Sequence, residues 1–392
     1  MKKINRLKIA IIVGEASGDQ LGAGLMSALQ NENVDIQFIG IGGERMKALS
    51  FHSFFEMERL AIMGFVEPLR RLPELLRMRR FILNEFTQNP PDLYIGIDAP
   101  DFNLGIANIL KARGIKTLQY VSPTIWAWRP NRIKKIVKAL NDILLIFPFE
   151  SDIYKNYNDK NKTQLGYHYV GHPLADEIEL FLDKKPARIK LHIQLQQKVI
   201  AILPGSRVSE IQAITPYFIK IVEILHLNDK NILFVAAMVN EEKAQLFKAM
   251  LHKIECSVPI MICVNDTRTV LQACDAAMVV SGTATLETAL MKRPFIVGYK
   301  TSFWQYHIAK WLIKVNYIAM PNIIANKLLV TEYIQSNLDP VKMALELFGF
   351  LHEDFESSDV GKTMMQEFKN IHHVLKQNAS HKAAQVVLKL LQ

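Results

Sequence analysis

Residues 9–19 read IAIIVGEASGD, a short apolar run that passes through a glycine turn into a helical pattern. Five apolar residues bounded by glycine are typical of a buried parallel strand, and the spacing of Leu21, Leu25 and Leu29 is that of a helix face. The same alternation of apolar runs and helical patterns continues along the chain. It predicts an α/β protein with doubly wound parallel sheets that carry helices on both faces. The further predicted strands are Leu93–Asp98, Thr117–Val121, Ile143–Phe147, Val199–Leu203, Ile232–Ala237, Ala276–Val280 and Phe295–Tyr299.

The length of 392 residues exceeds the usual size of a single hydrophobic core, and a charged segment after Gly171 interrupts the pattern of strands. We therefore predict two Rossmann-like domains, residues 1–178 and 179–354. The last segment, residues 355–392, has the periodicity of amphipathic helix, and we expect it to return to the first domain or to a partner subunit.

Composition narrows the class of protein. The three cysteines have no metal-ligand spacing, so we expect neither a disulfide framework nor a zinc site, and the chain fits a reducing cytoplasm. The apolar run near the N-terminus is too short for a signal peptide, and no stretch reaches the roughly 18 apolar residues that a spanning helix needs. The net charge of +9 favours a phosphate-bearing partner, which leaves nucleic acid, an anionic membrane and phosphorylated substrates open.

The first glycine turn, Gly14 to Asp19, is a candidate ligand site because backbone amides at a helix start can approach an anion or a sugar closely. It lacks both the GxGxxG spacing and the P-loop lysine, which disfavours dinucleotide and ATP chemistry. The alternative is a tight turn that Ser17 or Asp19 caps, with no ligand.

Two carboxylates follow the strand that begins at Leu93. Asp101 is placed to cap the next helix, whereas Asp98 lies at the strand tip and could take a proton from a hydroxyl nucleophile. The alternative for Asp98 is a loop carboxylate that backbone amides satisfy.

Ser122 opens a segment that contains Trp126 and Trp128 and leads into a basic helix. The indoles could stack on a sugar or a nucleobase, or they could form a packed hydrophobic corner beside a solvated basic face. We interpret His172, within a Gly-His-Pro sequence, as a turn residue.

The second half carries two glycine turns at strand ends. Gly205, Ser206 and Arg207 offer close backbone approach and a guanidinium fork to a diphosphate. The turn from Ser281 through Gly282, Thr283 and Ala284 supplies amides and hydroxyls for phosphate, and Glu287 could accept both hydroxyls of a ribose. Two such turns in one domain predict a nucleotide pocket.

The segment from residue 63 to residue 83 is amphipathic and cationic. An interfacial helix would insert its apolar residues among acyl chains while its arginines meet anionic headgroups. The alternative is a core helix with a basic outer face, and nucleic acid is disfavoured because no DNA-binding motif or aromatic platform is evident. The candidate membrane-facing residues are Val66, Leu69, Arg70, Leu72, Leu75, Leu76 and Arg77.

Assembled, these motifs closely resemble those of the lipid-A-disaccharide synthase family, over nearly the whole chain. The sequences that carry the resemblance are Gly14–Asp19, Ile97–Asn103, Tyr120–Pro123, Trp126–Arg129, Leu203–Arg207, Ser281–Ala284 with Glu287, and Pro321–Asn322.

The resemblance implies the GT-B architecture, in which two Rossmann-like domains face a cleft, with UDP-sugar in the C-terminal domain and the acceptor mainly in the N-terminal one. It implies an inverting, metal-independent transfer from UDP-2,3-diacylglucosamine to 2,3-diacylglucosamine 1-phosphate through a β(1→6) bond, with no cofactor. Asp98 would be the base, Asn322 would join the donor residues, and Gly14, Glu15, Ser17, Gly18, Asp19, Ser122 and Trp126 would border the acceptor.

The family also implies a peripheral protein on the cytoplasmic face of the inner membrane, and dimers that exchange their C-terminal segments. Two other functions stay open at the level of sequence. A UDP-N-acetylglucosamine 2-epimerase shares the fold and the nucleotide pocket but needs no second sugar. A non-catalytic membrane-binding module would account for the charge but not for the phosphate-binding turns.

Overall fold

The structure is a computed structural model that describes residues 6–32, 34–60, 67–302, 304, 306 and 315–392, with only the backbone for residues 67–71. The chain divides into two compact units. The first comprises residues 1–176 and 375–392, and the second comprises residues 177–374. The helical segment expected at 355–392 is thus shared between the two units.

The first unit is built on a parallel sheet of seven strands in the order β3-β2-β1-β4-β5-β6-β7. Its centre is apolar, since the side chains from Ile9 to Val13 are fully buried. The strands are β1 (Leu7–Val13), β2 (Ile36–Ile41), β3 (His52–Ser53), β4 (Leu93–Ile97), β5 (Lys116–Tyr120), β6 (Asp142–Leu145) and β7 (Gly166–Tyr169). The helices are α1 (Ala16–Gln30), α2 (Glu44–Lys47), α3 (Glu67–Gln88), α4 (Pro100–Ala112), α5 (Ile133–Ala139), α6 (Glu150–Asn161), α7 (Pro173–Glu177), whose last residue belongs to the second unit, and, at the end of the chain, α16 (Ala379–Leu391).

The second unit repeats the plan with six parallel strands in the order β10-β9-β8-β11-β12-β13. The strands are β8 (Val199–Leu203), β9 (Leu233–Met238), β10 (Ile260–Val264), β11 (Ala276–Val279), β12 (Phe295–Tyr299) and β13 (Glu332–Ile334). The helices are α8 (Lys185–Lys190), α9 (Val208–Asn228), α10 (Glu241–Lys253), α11 (Thr267–Ala273), α12 (Thr283–Leu290), α13 (Met320–Ala325), α14 (Pro340–Phe350) and α15 (Asp359–Leu375).

All eight strands predicted from apolar runs are present, with ends within two residues of those expected. The strands that sequence analysis missed include β7 and β13, whose side chains are only partly buried. An edge strand needs no continuous apolar run because one of its sides faces solvent.

Helix α3 combines a buried face with an exposed apolar one. Met78, Ile82 and Phe86 are buried, whereas Leu72 and Leu76 are each about half exposed. Of the other candidate membrane-facing residues, Arg77 is exposed and Leu75 is half-buried, Val66 lies outside the described residues, and Leu69 and Arg70 lie in the part of α3 described only by its backbone. Within the described ranges, no helix is both long and apolar enough to cross a bilayer.

Helix α16 packs on α1 within the first unit. A Cβ atom placed on Gly24 would lie 2.6 Å from the hydroxyl oxygen of Ser380, so the two helices are in close contact there. The start of α16 is capped by Asp176, whose carboxylate accepts hydrogen bonds from the amides of Asn378 and Ala379 at 2.8 and 2.6 Å. The last helix is therefore tied to the first unit by both apolar packing and a charged cap.

Candidate active site

The predicted motifs lie at the two points where strand order reverses. In the first sheet, β1 lies between β2 and β4, and the turns that begin at Gly14 and Asp98 follow β1 and β4. In the second sheet, β8 lies between β9 and β11, and the turns that begin at Pro204 and Val280 follow β8 and β11. Ligands of open α/β sheets bind at such points, outside the carboxyl ends of the strands.

Asp98 has an unusual backbone conformation. Both Asp98 and Ala99 adopt left-handed φ angles, 50° and 39°, which side-chain-bearing residues rarely do. The conformation is held by the carbonyl of Asp98, which accepts hydrogen bonds from the amides of Asn103 at 2.8 Å and Gln119 at 3.1 Å. Asn103 is fully buried, and its own oxygen accepts a hydrogen bond from the Tyr94 hydroxyl at 3.0 Å. These polar residues fix the direction in which the Asp98 side chain leaves the strand.

The Asp98 carboxyl lies beside the first glycine turn. Burial raises the pKa of Asp98 to about 6, the negative charge of Glu15 adds to the rise, and a hydrogen bond with Ser17 opposes it. Gly18 makes the approach possible, because a Cβ atom there would lie 2.7 Å from a methyl of Val13 and 3.1 Å from Asp98 Oδ2. Glu15, Ser17 and Gly18 thus lie close to the Asp98 carboxyl.

Gly14 and Asp19 shape the same turn. A Cβ atom on Gly14 would lie 2.6 Å from the Cβ of Ala99, so glycine is required for the two loops to meet. The carboxylate of Asp19 is buried and accepts hydrogen bonds from the amides of Gly43, Arg45 and Met46 at 2.8, 3.0 and 3.3 Å. Asp19 therefore anchors the loop after β2 to the first turn of α1.

Ser122 and Trp126 belong to a cluster after β5. Ser122 is buried, and its hydroxyl oxygen lies 2.8 Å from that of Tyr154. The ring of Trp126 packs edge-on against Phe149 at 5.3 Å. Beside them, burial raises the pKa of Glu150 to about 8 despite a 3.1 Å hydrogen bond from the amide of Phe147. This packing agrees with the hydrophobic-corner interpretation, and Ser122 is part of the buried cluster.

In the second unit, the turn after β8 is already occupied by a carboxylate. Glu210 accepts hydrogen bonds from the amides of Ser206 and Arg207, both at 3.2 Å, and pairs with the Arg207 guanidinium at 3.0 Å. Gly205 has a φ of 108°, and a Cβ atom there would lie 2.7 Å from Glu210. The arginine side chain is 63% exposed, so it can reach a ligand. The turn thus presents two amides and a cation that already bind an anionic group.

The turn after β11 runs from Ser281 into α12. Gly282 has a φ of 100° and no atom within 4 Å of the position that a Cβ would take, so the turn is open on one side. Thr285 closes the other side, since its hydroxyl donates to the carbonyl of Gly282 at 2.7 Å and accepts from the amide of Met320 at 3.0 Å. Thr283 and Ala284 form the first turn of α12, at the end where amides attract anions.

Glu287 lies one turn into α12 and is mostly buried, with a side chain 16% exposed. Burial raises the pKa of Glu287, and a hydrogen bond at 3.1 Å from Arg268 opposes the rise. Arg268 also donates to Glu177 at 2.6 Å. Sequence analysis missed Arg268, because no local pattern links residue 268 to residue 287.

Asn322 is fully buried at the start of α13, and its side-chain amide makes four hydrogen bonds within the protein. Its amide nitrogen donates to the carbonyl of Val330 at 2.8 Å and to Glu332 at 2.9 Å. Its oxygen accepts from the amides of Leu329 and Val330 at 2.8 and 3.0 Å. The structure thus places Asn322 as the support of the loop before β13.

Over the described ranges, no three His, Cys, Asp or Glu side chains converge as metal ligands would.

The chain is similar to known proteins over nearly its whole length. A family model described as lipid-A-disaccharide synthetase matches residues 9–387. The lipid-A-disaccharide synthase of Hahella chejuensis is 43% identical over 386 residues, which are 98% of this chain and 95% of the relative. That of Azotobacter vinelandii is 42% identical over 385 residues, which are 98% of each chain.

Solved structures share the fold at low identity. The UDP-GlcNAc 2-epimerase from Neisseria meningitidis bound to UDP-GlcNAc has a TM-score of 0.63 at 13% identity, and the match covers 98% of this chain and 100% of the epimerase. The glycotransferase of kitacinnamycin also has a TM-score of 0.63, at 12% identity, with 99% and 100% covered. The predicted α/β fold of the GT-B type is confirmed.

Proposed function

Since the chain belongs to the lipid-A-disaccharide synthetase family, it is a hexosyltransferase of lipid A biosynthesis, and we propose that Asp98 is its catalytic base. The donor is UDP-2,3-diacylglucosamine and the acceptor is 2,3-diacylglucosamine 1-phosphate. The 6-hydroxyl of the acceptor gives its proton to Asp98, and its oxygen attacks the anomeric carbon while the bond to UDP breaks. The new β(1→6) bond forms with inversion, and UDP leaves with the electron pair.

The observation that carries this proposal is the carboxyl of Asp98 at the strand-order reversal of the first sheet, with a pKa raised to about 6. A base with a pKa just below the working pH is ionised yet retains affinity for a proton, which suits general base catalysis. Glu15, Ser17 and Gly18 border the acceptor next to it. Gly14, Asp19, Ser122 and Trp126 support this acceptor side from within the fold.

The donor binds in the second unit. The Arg207 guanidinium and the start of α12 from Ser281 to Ala284 meet the diphosphate. Gly205 and Ser206 shape the turn that carries Arg207, because Glu210 fits against Gly205 and accepts hydrogen bonds from the amides of Ser206 and Arg207. Charge that develops on the leaving UDP is stabilised by these donors, without a metal ion. Glu287 accepts the ribose hydroxyls, and Asn322 acts by holding the neighbouring loop in shape.

Two substitutions test the proposed roles of Asp98 as the base and of Arg207 in UDP binding. Asp98→Asn keeps the size of the side chain but removes the base, so turnover should fall by about 10²-fold to 10⁴-fold while UDP affinity stays within about twofold. Arg207→Ala should weaken UDP binding. Product formation from the diacylated donor and acceptor is followed by mass spectrometry, and UDP binding by calorimetry. Near-normal turnover of the Asn variant would remove Asp98 as the base, and unchanged UDP affinity of the Ala variant would remove Arg207 from the pocket.

We further propose that the exposed apolar side of α3 binds the cytoplasmic face of the inner membrane, with Arg77 near anionic headgroups. The support is that Leu72 and Leu76 are half exposed on a helix whose adjacent face, with Met78, Ile82 and Phe86, is buried. Replacing both leucines with Ser should release the protein from vesicles of anionic phospholipid in a sedimentation assay. Replacing the exposed Leu227 of α9 with Ser is the matched control. Unchanged sedimentation of the double variant would contradict the proposal.

A homodimer that exchanges C-terminal helices is the third part of the proposal. Its support is that α16, at the very end of the chain, packs on α1 through contacts that a second copy of the helix could make equally well. An element exchanged between identical chains keeps its native contacts, so exchange costs little.

A further inference from the structure

Arg268, at the start of α11, lies between two carboxylates of the second unit. Its Nε donates to Oε1 of Glu287 at 3.1 Å, and its Nη2 donates to Oε2 of Glu177 at 2.6 Å. Both are charge-assisted hydrogen bonds, which are stronger and more directional than neutral ones. The guanidinium is therefore fixed on two sides and restricts the rotation of the Glu287 side chain.

The helix that carries Arg268 is itself anchored by two buried arginines. Arg188 donates to the carbonyl of Ala273 at 3.0 Å, and Arg293 donates to that of Leu271 at 2.9 Å. Cations at a helix C-terminus satisfy its unpaired carbonyls and interact favourably with its dipole. The position of Arg268 is thus set by the packing of α11 and does not depend on a ligand.

One carboxylate oxygen of Glu287, Oε2, can still accept hydrogen bonds from a ligand. Arg268 donates to Oε1, whereas none of the described residues donates a hydrogen bond to Oε2, and 16% of the Glu287 side chain is exposed. A carboxylate has about four acceptor positions, so one oxygen held by a guanidinium leaves the other to accept hydroxyl groups. A vicinal diol is the chemical group that such a carboxylate suits.

We infer that Arg268 is a positioning residue that makes the donor site selective for ribonucleotides over 2′-deoxyribonucleotides, because it orients Glu287 toward the ribose hydroxyls. The inference rests on the proposed contact between Glu287 and the ribose. Arg268 itself touches no substrate atom in this arrangement. Its loss should therefore affect recognition of the 2′-hydroxyl more than binding of the diphosphate.

The test compares the affinities of the full-length protein for UDP and for 2′-deoxy-UDP by calorimetry. A hydroxyl that donates to a carboxylate is worth about tenfold or more in affinity, so the wild-type protein should prefer UDP by that factor. Glu287→Ala should reduce the preference to about one. Arg268→Ala should reduce the preference for UDP to below about threefold. The double variant should show the same preference as Glu287→Ala alone, because Arg268 acts through Glu287.

Controls separate positioning from general stability. Lys190→Ala removes an ion pair of 2.7 Å with Asp266, next to Arg268, and should leave the UDP preference unchanged. Arg268→Lys, which can reach only one carboxylate, should restore part of the preference. If Arg268→Ala does not fold, Arg268→Met keeps the aliphatic stem and takes its place.

The outcomes distinguish the inference from the function on which it rests. If Glu287→Ala keeps the wild-type preference, the ribose contact proposed for Glu287 is wrong, and the inference falls with it. If Glu287→Ala loses the preference but Arg268→Ala retains it, the ribose contact stands and the role of Arg268 is refuted. An equal loss of affinity for both nucleotides in Arg268→Ala would also refute it, because that result would indicate direct contact with the diphosphate.

Discussion

Replacing Glu15 with Gln removes one negative charge beside the Asp98 carboxyl at nearly constant side-chain size. Burial and this charge together raise the pKa of Asp98 to about 6, with burial the larger cause. Because the base must be ionised to accept a proton, activity should fall as the pH decreases through 6. Removing the charge lowers the pKa of Asp98, so the acid limb of the pH profile should move to lower pH.

The magnitude follows from the fraction of Asp98 that is ionised. With a pKa of about 6, about a tenth of the carboxyl is ionised at pH 5, and a pKa lower by about half a unit raises this to about a quarter. At pH 5, the kcat/KM of Glu15→Gln, divided by its own value at pH 8, should therefore exceed the wild-type ratio by about 2.5-fold. Ser17→Ala should act in the opposite direction, because the hydrogen bond with Ser17 lowers the pKa of Asp98.

The assay is the initial rate of UDP release at low substrate concentration between pH 4.5 and pH 9, for the wild-type protein and both variants. Scaling each profile to its own plateau removes any effect of the substitutions on acceptor binding. Acid limbs that coincide in all three proteins, or that shift in the same direction in both variants, would refute the view that the profile reports the ionisation of Asp98.

Two further predictions concern stability and assembly. The pKa of Glu150 is about 8 in the folded protein against 4.5 for the free side chain, so the folded state retains a proton that the unfolded state loses, and stability should decline by about 1.4 kcal/mol per pH unit between these values. Glu150→Gln should remove this decline, so the melting temperature of the variant relative to the wild type should be highest at pH 8 and lowest at pH 5. A difference in melting temperature that does not change with pH would contradict this. The double variant Gly24→Cys with Ser380→Cys should form a disulfide, because the Cβ positions lie 3.7 Å apart. If α16 is exchanged, the bond should link two chains on a non-reducing gel, whereas the single variant Ser380→Cys should not; a bond confined to monomers would contradict exchange.

The sequence predicted what short-range patterns determine. The strands and glycine turns follow from apolar runs and from residues such as Gly205 and Gly282, whose positive φ angles the chain needs at those places. The parallel order then brings the turns together, because the carboxyl ends of neighbouring strands share an edge. Asp98 could be proposed as a base for the same reason, since it follows directly after a buried strand.

What the sequence did not reveal depends on partners distant along the chain. In the sequence, Asp19 and Asn322 are candidate ligand-binding residues. In the fold, Asp19 accepts hydrogen bonds from backbone amides of the loop after β2, and Asn322 binds the backbone of the loop before β13 and the side chain of Glu332. Gln119 and Arg268 carry no local signal, although one holds the backbone of Asp98 and the other holds Glu287. Side chains that position other side chains are recognised only when the contacts are known.

The left-handed backbone at Asp98 and Ala99 has a consequence for the energetics of the reaction. A left-handed residue costs roughly 1–2 kcal/mol, so this pair lowers the stability of the fold by a few kcal/mol, which the buried amides of Asn103 and Gln119 offset. The conformational entropy of orienting the base is accordingly lost when the protein folds, not when the acceptor arrives. Preorganisation of this kind leaves more of the acceptor's binding energy to act on the transition state.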